Sequence, residues 1–308
     1  MQEKIGNVIL DDTYYPGEDL YSDGPVEEEL LEIAENYREE ELNQVIASRK
    51  SWPVLYHFSH VRTNILEWLP IEKSHKVLEI GSGCGAITGA LAKKAGSVTC
   101  IELSKMRSKI NAARNRDYDN IRILMGNFQD IEKNLDEKYD YITLIGVFEY
   151  SEGYIGTKEP YQEMLRRIAR HLAPKGKLVI AIENRLGLKY WAGCTEDHVG
   201  KYFEGLEGYP DTKGVKTFSR KELLDLIEKS GNFKTTFYYP YPDYKFPMTI
   251  YSDRYLPKKG ELKETYCNFD RERMRIFDEP KVFDSLIDAG LFPEFSNSFL
   301  VLVEKEDV

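Results

Sequence analysis

The chain has 308 residues, 42% hydrophobic and 31% charged, which is ordinary for a globular protein large enough to bury a sizeable core. Its net charge of −10 disfavours a phosphate backbone as partner, so we predict no nucleic-acid partner. No apolar run approaches the ~20 residues of a membrane span, and the first residues contain no signal-peptide core, which predicts a cytoplasmic protein. The four cysteines have no Cys-x-x-Cys spacing, and this predicts reduced thiols rather than a disulfide or zinc framework. We see no metal-ligand cluster in the sequence and predict no metal site.

The first 70 residues predict an arm followed by a helical cap. Residues 1–25 contain scattered tyrosines and prolines and read as an irregular, extended segment. Apolar residues at helical spacing predict one helix over 26–48 and a second over 54–68, separated by Trp52-Pro53. We expect residues 1–70 to form a separate cap and residues 71–308 to form one α/β domain.

Within 71–308, apolar runs alternate with helical patterns, which is typical of a parallel sheet covered by helices on both faces. Residues 184–218 and 240–295 interrupt this alternation and are predicted to be insertions, the second with helices near 270–277 and 280–289. The predicted strands are 75–80, 97–103, 121–125, 139–145, 177–182, 233–239 and 299–303.

A glycine-rich turn follows the first of these strands. Gly81, Gly83 and Gly85 separate the apolar run of 77–80 from a helical pattern of small and apolar residues. Such a turn brings bare backbone close to a nucleotide-like ligand and offers the free N–H groups of a helix start. Glu79 stands two residues before the first glycine, where we expect its carboxylate at the mouth of the loop. A carboxylate there suits a cationic ligand better than a pyrophosphate.

Polar residues also follow the next three strands. Glu102 lies 21 residues after Gly81, where a carboxylate can accept both hydroxyls of an adenosine ribose. Asn127 and Phe128 follow the third strand and could contact an adenine ring. Glu149 follows the fourth strand, at the sheet edge where ligands of open α/β sheets bind.

These segments together resemble the class I S-adenosylmethionine-dependent methyltransferases over about residues 54–183. The resemblance implies a Rossmann-like, doubly wound, mostly parallel sheet of seven strands, with an antiparallel last strand beside the sixth. It also implies S-adenosyl-L-methionine as cofactor. Many small-molecule members have histidine where this chain has Tyr150, so the motif leaves the general base unassigned. The resemblance to this family also implies which residues contact the cofactor: Glu79, Gly81, Ser82, Gly83, Gly85, Glu102, Leu103, Asn127, Phe128 and Val147.

A second likeness narrows the expected substrate. Residues 182–190, the following Glu196-Asp197-His198 and residues 291–299 resemble methyltransferase domains associated with bacterial cell-surface polysaccharide assembly. This likeness predicts a small-molecule or glycan acceptor, methylated on oxygen, and association with other biosynthetic modules. We take His198 as the preferred base, with Asp197 and Glu149 as further catalytic candidates.

Two alternative functions remain open at this point. A nicotinamide-dependent oxidoreductase would share the sheet and Glu102, although Glu79 counts against a pyrophosphate. A methyltransferase fold kept as a non-catalytic scaffold for partner proteins would explain the unassigned base.

Overall fold

The computed structural model describes residues 2–19, 21–263 and 273–306. The chain divides into two compact units, the first made of residues 1–144 and 171–177 and the second of residues 145–170 and 178–308.

The first unit begins with a strand hairpin and a group of short helices, and then alternates between strand and helix. Its strands are β1 (Gln2–Ile5), β2 (Val8–Tyr14), β3 (Lys76–Ile80), β4 (Ser97–Glu102), β5 (Ile121–Gly126) and β6 (Tyr139–Ile145, whose last residue falls in the second unit). Its helices are α1 (Val26–Asn36), α2 (Leu42–Arg49), α3 (Trp52–Phe58), α4 (Asn64–Glu67), α5 (Thr88–Lys94), α6 (Lys105–Arg114) and α7 (Phe128–Ile131).

The strands of this unit lie in the order β1-β2-β5-β4-β3-β6. The neighbours from β2 to β6 are parallel, and β1 is antiparallel to β2. Val77, Leu78 and Ile80 on β3 are buried, as expected for a parallel strand covered on both faces. Because parallel strands end at the same edge, the turns after β3, β4 and β5 share one side of the sheet.

The helices that precede β3 pack on α6 around an apolar core that includes Leu30, Ile33, Val54, Phe58 and Ile110. The single helix predicted over 26–48 is divided into α1 and α2, with a 3₁₀ turn at Glu39–Glu41 between them. The helix predicted over 54–68 is likewise interrupted by a 3₁₀ turn at His60–Thr63. Periodicity located both segments but missed these breaks, although residues 38–41 contain no apolar residue and mark the first of them.

The second unit contains β7 (Leu172–Glu183), whose first six residues fall in the first unit, with β8 (Phe233–Tyr241), β9 (Thr249–Ser252) and β10 (Ser298–Lys305). Their order is β7-β10-β8-β9, and β8 is antiparallel to both β10 and β9. Its helices are α8 (Ser151–Tyr154), α9 (Pro160–His171, the last residue in the first unit), α10 (Leu188–Trp191), α11 (Arg220–Ser230), α12 (Glu279–Asp288) and α13 (Phe292–Phe295).

The prediction of seven strands is wrong, since the described residues form ten. The additional strands are β1 and β2, in the arm predicted to be irregular, and β9, in the second predicted insertion. The antiparallel last strand beside the sixth predicted strand is confirmed by the pairing of β10 with β8. Residues 273–277 are not helical, and the rest of the helix predicted near 270–277 lies outside the described residues.

Two further expectations from composition concern membrane-spanning helices and the state of the cysteines in the described residues. No helix there combines the length and apolar character required to cross a membrane. Cys84, Cys100 and Cys194 are buried and form no disulfide, and Cys267 lies outside the described residues.

Candidate active site

The glycine turn of the first unit is a tight loop with an unusual backbone. Gly81, Gly83 and Gly85 have φ values of 72°, 52° and 76°, in the left-handed region that side chains disfavour. The Gly81 N–H donates to the carbonyl of Ile101 on β4 at 2.8 Å, and the Gly85 N–H donates to the carbonyl of Ser82 at 3.0 Å. The loop is therefore held open by its own backbone and by the neighbouring strand.

Glu79 lies beneath this loop, not at its mouth as the sequence suggested. The side chain is buried, and its Oε2 accepts a hydrogen bond from Thr88 Oγ1 at 2.7 Å, with Cys100 Sγ at 3.5 Å. Burial raises the pKa of Glu79 from 4.5 to about 7, although the bond from Thr88 lowers it. Glu79 thus ties the start of α5 to β3 and is partly protonated near neutral pH.

Glu102, at the end of β4, faces the glycine loop directly. Its Oε2 accepts a hydrogen bond from the Gly83 N–H at 2.7 Å, and its Oε1 accepts one from the Ser104 N–H at 3.0 Å. Burial raises the pKa of the Glu102 carboxyl, although the hydrogen bonds from these two N–H groups lower it. Each oxygen keeps a second lone pair that could accept a ligand hydroxyl. The neighbouring Leu103 is half-buried.

The N-terminal arm contributes a contact here that the sequence did not reveal. Asp19 accepts hydrogen bonds from the N–H groups of Lys105 and Met106 at 2.6 and 3.2 Å, and from Ser104 Oγ at 3.0 Å. These donors form the start of α6, immediately after Glu102. A carboxylate at a helix start is stabilised by the free N–H groups and by the helix dipole.

The other residues predicted to contact the adenine lie at the start of α7. Asn127 Oδ1 accepts a hydrogen bond from the Gln129 N–H at 3.0 Å, so this side chain caps the helix. Phe128 is buried in the first unit. In the second unit, Val147 is half-buried and precedes a 3₁₀ turn at Phe148–Tyr150.

The second unit brings together a group that we call the His198 cluster: Glu149, Glu183, Glu196 and His198. The ring Nδ1 lies 3.0 Å from Glu196 Oε1, and Nε2 lies 3.3 Å from Glu149 Oε1 and 3.8 Å from Glu183 Oε2. Burial lowers the pKa of His198, but the carboxylates of Glu183, Glu149 and Glu196 raise it well above 6.5 overall. Sequence reasoning singled out Glu149 and His198, and it missed Glu183, whose position at the end of an apolar strand gave no chemical signal.

Glu196 orients the imidazole. Its Oε2 accepts hydrogen bonds from the N–H groups of His198 and Val199 at 2.7 and 2.8 Å, and its Oε1 accepts one from the Tyr209 hydroxyl at 3.0 Å. The carboxylate is therefore fixed by the backbone and by a buried phenol. Its position determines which ring nitrogen of His198 faces Glu149 and Glu183.

Asp197, the third predicted catalytic residue, points to two lysines instead of to His198. Its Oδ1 lies 2.8 Å from Lys245 Nζ, and its Oδ2 lies 2.6 Å from the fully buried Lys189 Nζ. Burial raises the pKa of Asp197, but Lys189 and Lys245 hold it well below its usual range. Lys245 Nζ also lies 2.6 Å from Glu183 Oε1, which joins these lysines to the His198 cluster.

Comparison with known proteins identifies several similar chains. Residues 78–178 match a family model described as "Methyltransferase domain". The chain is 34% identical over 233 residues to ribosomal RNA small subunit methyltransferase A of Borreliella burgdorferi, covering 73% of this chain and 77% of the relative. It is 26% identical over 128 residues to protein-L-isoaspartate O-methyltransferase 2 of Archaeoglobus fulgidus, covering 40% of this chain and 52% of the relative.

Among solved structures, a SAM-dependent methyltransferase from Archaeoglobus fulgidus is similar with a TM-score of 0.49 and 15% sequence identity. The alignment covers 83% of this chain and 100% of that structure.

Proposed function

Because the chain belongs to the class I S-adenosylmethionine-dependent methyltransferase family, with S-adenosyl-L-methionine as cofactor, we propose that it methylates a hydroxyl group of a small molecule or glycan. The proposed setting is bacterial surface polysaccharide synthesis or a related pathway. The observation that carries the proposal is the buried His198 cluster, which offers a proton acceptor to an attacking hydroxyl. The resemblance of residues 182–190, 196–198 and 291–299 to polysaccharide-associated methyltransferase domains supports the choice of acceptor.

The first unit supplies all of the proposed cofactor contacts except Val147. Glu102 would bind the ribose hydroxyls, since two backbone N–H groups already orient its oxygens. The glycine loop would approach the cofactor with bare backbone, because no side chain projects from its glycines. The remaining proposed contacts are Glu79, Gly81, Ser82, Gly83, Gly85, Leu103, Asn127, Phe128 and Val147.

The proposed reaction is an in-line displacement. The acceptor oxygen attacks the methyl carbon, the bond from that carbon to sulfur breaks, and S-adenosylhomocysteine leaves as the hydroxyl proton passes to a base. Glu149 has the stronger geometric claim to this proton, because its Oε2 is buried and accepts no hydrogen bond from the described residues. Both ring nitrogens of His198 already face carboxylate oxygens, which favours an orienting role for the residue preferred from sequence.

The relatives named as ribosomal RNA methyltransferases support a second candidate, methylation of RNA. The net charge of −10 counts against it, because RNA binding requires a surface that neutralises phosphates. Family membership removes the oxidoreductase alternative. A non-catalytic scaffold stays an alternative outcome of the tests below.

The first experiment is calorimetric titration of the purified chain with S-adenosylhomocysteine, with NAD as a parallel control. We expect micromolar binding of S-adenosylhomocysteine and none of NAD. Nucleotide sugars, glycans and a small-subunit RNA fragment are then offered with labelled cofactor, and we expect turnover with a hydroxylated carbohydrate. Turnover of the RNA alone would refute the proposed acceptor, and cofactor binding without turnover of any acceptor would favour the scaffold.

The roles within the His198 cluster are tested by two variants. We expect Glu149→Gln and His198→Ala to slow turnover by at least about 100-fold, the scale of a lost general base, with cofactor affinity unchanged. Full activity in Glu149→Gln would remove it as the base.

A further inference from the structure

We propose that Glu149, Glu183 and His198 form a binding site for one divalent transition-metal ion. One ligand atom from each residue lies within 4.8 Å of the others. Ligands about 2.1 Å from an octahedral ion are separated by about 3 Å. The distances of 3.3 and 3.8 Å from His198 Nε2 to the two carboxylates need only small inward shifts to reach that separation.

The imidazole is oriented as a metal ligand would be. Metal-binding histidines donate the N–H of their other nitrogen to a carboxylate, which fixes the tautomer and aims the free nitrogen at the ion. In this chain Glu196 faces Nδ1 at 3.0 Å and is itself held by Val199 and Tyr209. Nε2 is left pointing at Glu149 and Glu183.

Two buried carboxylate oxygens of the His198 cluster would be stabilised by a bound cation. Oε2 of Glu149 and Oε2 of Glu183 accept no hydrogen bond from any described residue, and the two side chains are each 1% exposed. A buried carboxylate oxygen without a donor is costly to bury. The other oxygen of Glu183 already lies 2.6 Å from Lys245 Nζ, so this lysine can hold the carboxylate in place while Oε2 binds an ion.

The local charge balance points in the same direction. With His198 neutral, as a metal ligand must be, the buried group has five carboxylates and two lysines, a formal charge of −5 + 2 = −3. Buried carboxylates require compensation by a cation or by protons. A divalent ion bound by Glu149, Glu183 and His198 would supply positive charge within this group. The members are Glu149, Glu183, Glu196, Asp197 and Asp243, with Lys189, Lys245 and His198.

The donor set selects the class of ion. Two carboxylates and one imidazole suit Mn²⁺, Fe²⁺ or Zn²⁺ better than Ca²⁺, which prefers six or more oxygen ligands. The metal site is argued from geometry alone, but its catalytic use rests on the proposed function. With an ion bound, Glu149 would act as its ligand, and the ion would take over the activation of the hydroxyl that the free carboxylate otherwise provides as a base. An ion here would bind the acceptor hydroxyl and lower its pKa, which makes the oxygen a better nucleophile.

The test measures metal binding directly. The purified 308-residue chain is treated with EDTA and dialysed. It is then titrated with Mn²⁺ and, separately, with Zn²⁺ by calorimetry, and Mn²⁺ binding is also followed by electron paramagnetic resonance. We expect one ion per chain, and at least about 100-fold weaker binding in Glu183→Gln and in His198→Ala, since even outer contacts of metal ligands contribute 10–100-fold.

The matched control is Glu132→Gln, which alters a different buried pair in which Glu132 Oε2 lies 3.4 Å from His171 Nε2. Metal affinity should be unchanged in this variant, and circular dichroism establishes that each variant is folded. Absence of stoichiometric binding by the wild-type chain would overturn the site, as would wild-type affinity in folded Glu183→Gln and His198→Ala. Metal binding without S-adenosylhomocysteine binding would refute the proposed function alone, and the reverse result would refute the metal site alone.

Discussion

The buried Glu79 makes a quantitative prediction about how stability depends on pH. Its pKa in the fold is about 7, against an ordinary value of 4.5, and the principal cause is burial. Because the folded chain holds this proton more tightly, the associated stability is fully present below about pH 4.5 and is lost as the pH rises through 7. The difference between these two values corresponds to ~3 kcal/mol of folding stability, of which about 2.5 kcal/mol is lost between pH 5 and pH 8.

Glu79→Gln tests this magnitude, because glutamine keeps the shape and the acceptor for Thr88 but cannot ionise. Urea unfolding of both proteins at pH 5, 6, 7 and 8 gives the free energy of unfolding, and the difference between the proteins cancels the titration of all other groups. We expect the variant to gain about 2.5 kcal/mol relative to wild type from pH 5 to pH 8. A difference that stays constant across this range would show that Glu79 is already ionised in the fold, and the reasoning would fail.

Three further predictions concern the glycine loop and its surroundings. Glu102→Ala should weaken S-adenosylhomocysteine binding at least ~10-fold by calorimetry, the scale of one lost charge-assisted hydrogen-bonding group; unchanged affinity would refute the ribose role. Gly85→Ala should destabilise the fold by about 2–3 kcal/mol, because its Cβ would lie 2.4 Å from Asn111 Oδ1. A Cβ at Gly83 would meet open space, so Gly83→Ala should cost only about 1 kcal/mol. Equal losses of stability in urea unfolding would contradict this difference. Asp19→Ala should cost ~1–2 kcal/mol through the lost cap of α6, and a stability within 0.3 kcal/mol of wild type would be incompatible with that cap.

The parts of the fold that the sequence predicted are those specified by neighbouring residues. The glycine loop, the acidic end of β4 and the capped start of α11 are local patterns. Ser219 and Glu222, three residues apart, form a capping box, in which the Ser219 hydroxyl accepts a hydrogen bond from the Glu222 N–H. Such motifs can be read without knowledge of the rest of the chain.

The parts that escaped prediction depend on contacts between distant segments. The His198 cluster joins residues from three separate stretches, around 149, 183 and 196–198, so no spacing in the sequence reveals it. Strand β2 was missed for a different reason: Val8, Ile9 and Leu10 form an apolar run, but the tyrosines and prolines that follow suggested a loop. Partnership with β5, more than 100 residues later, is what makes this run a strand.

That same pairing determines the order in which the chain can fold during synthesis. Residues 8–14 leave the ribosome before their partners on β5, which are made about 110 residues later. The α6 N–H groups that bind Asp19 follow that residue by about 85 residues. At 5–20 residues per second the arm waits roughly 5–20 s before it can dock. The charged residues Glu3, Lys4, Asp11 and Asp12 in this waiting segment disfavour pairing with other nascent chains.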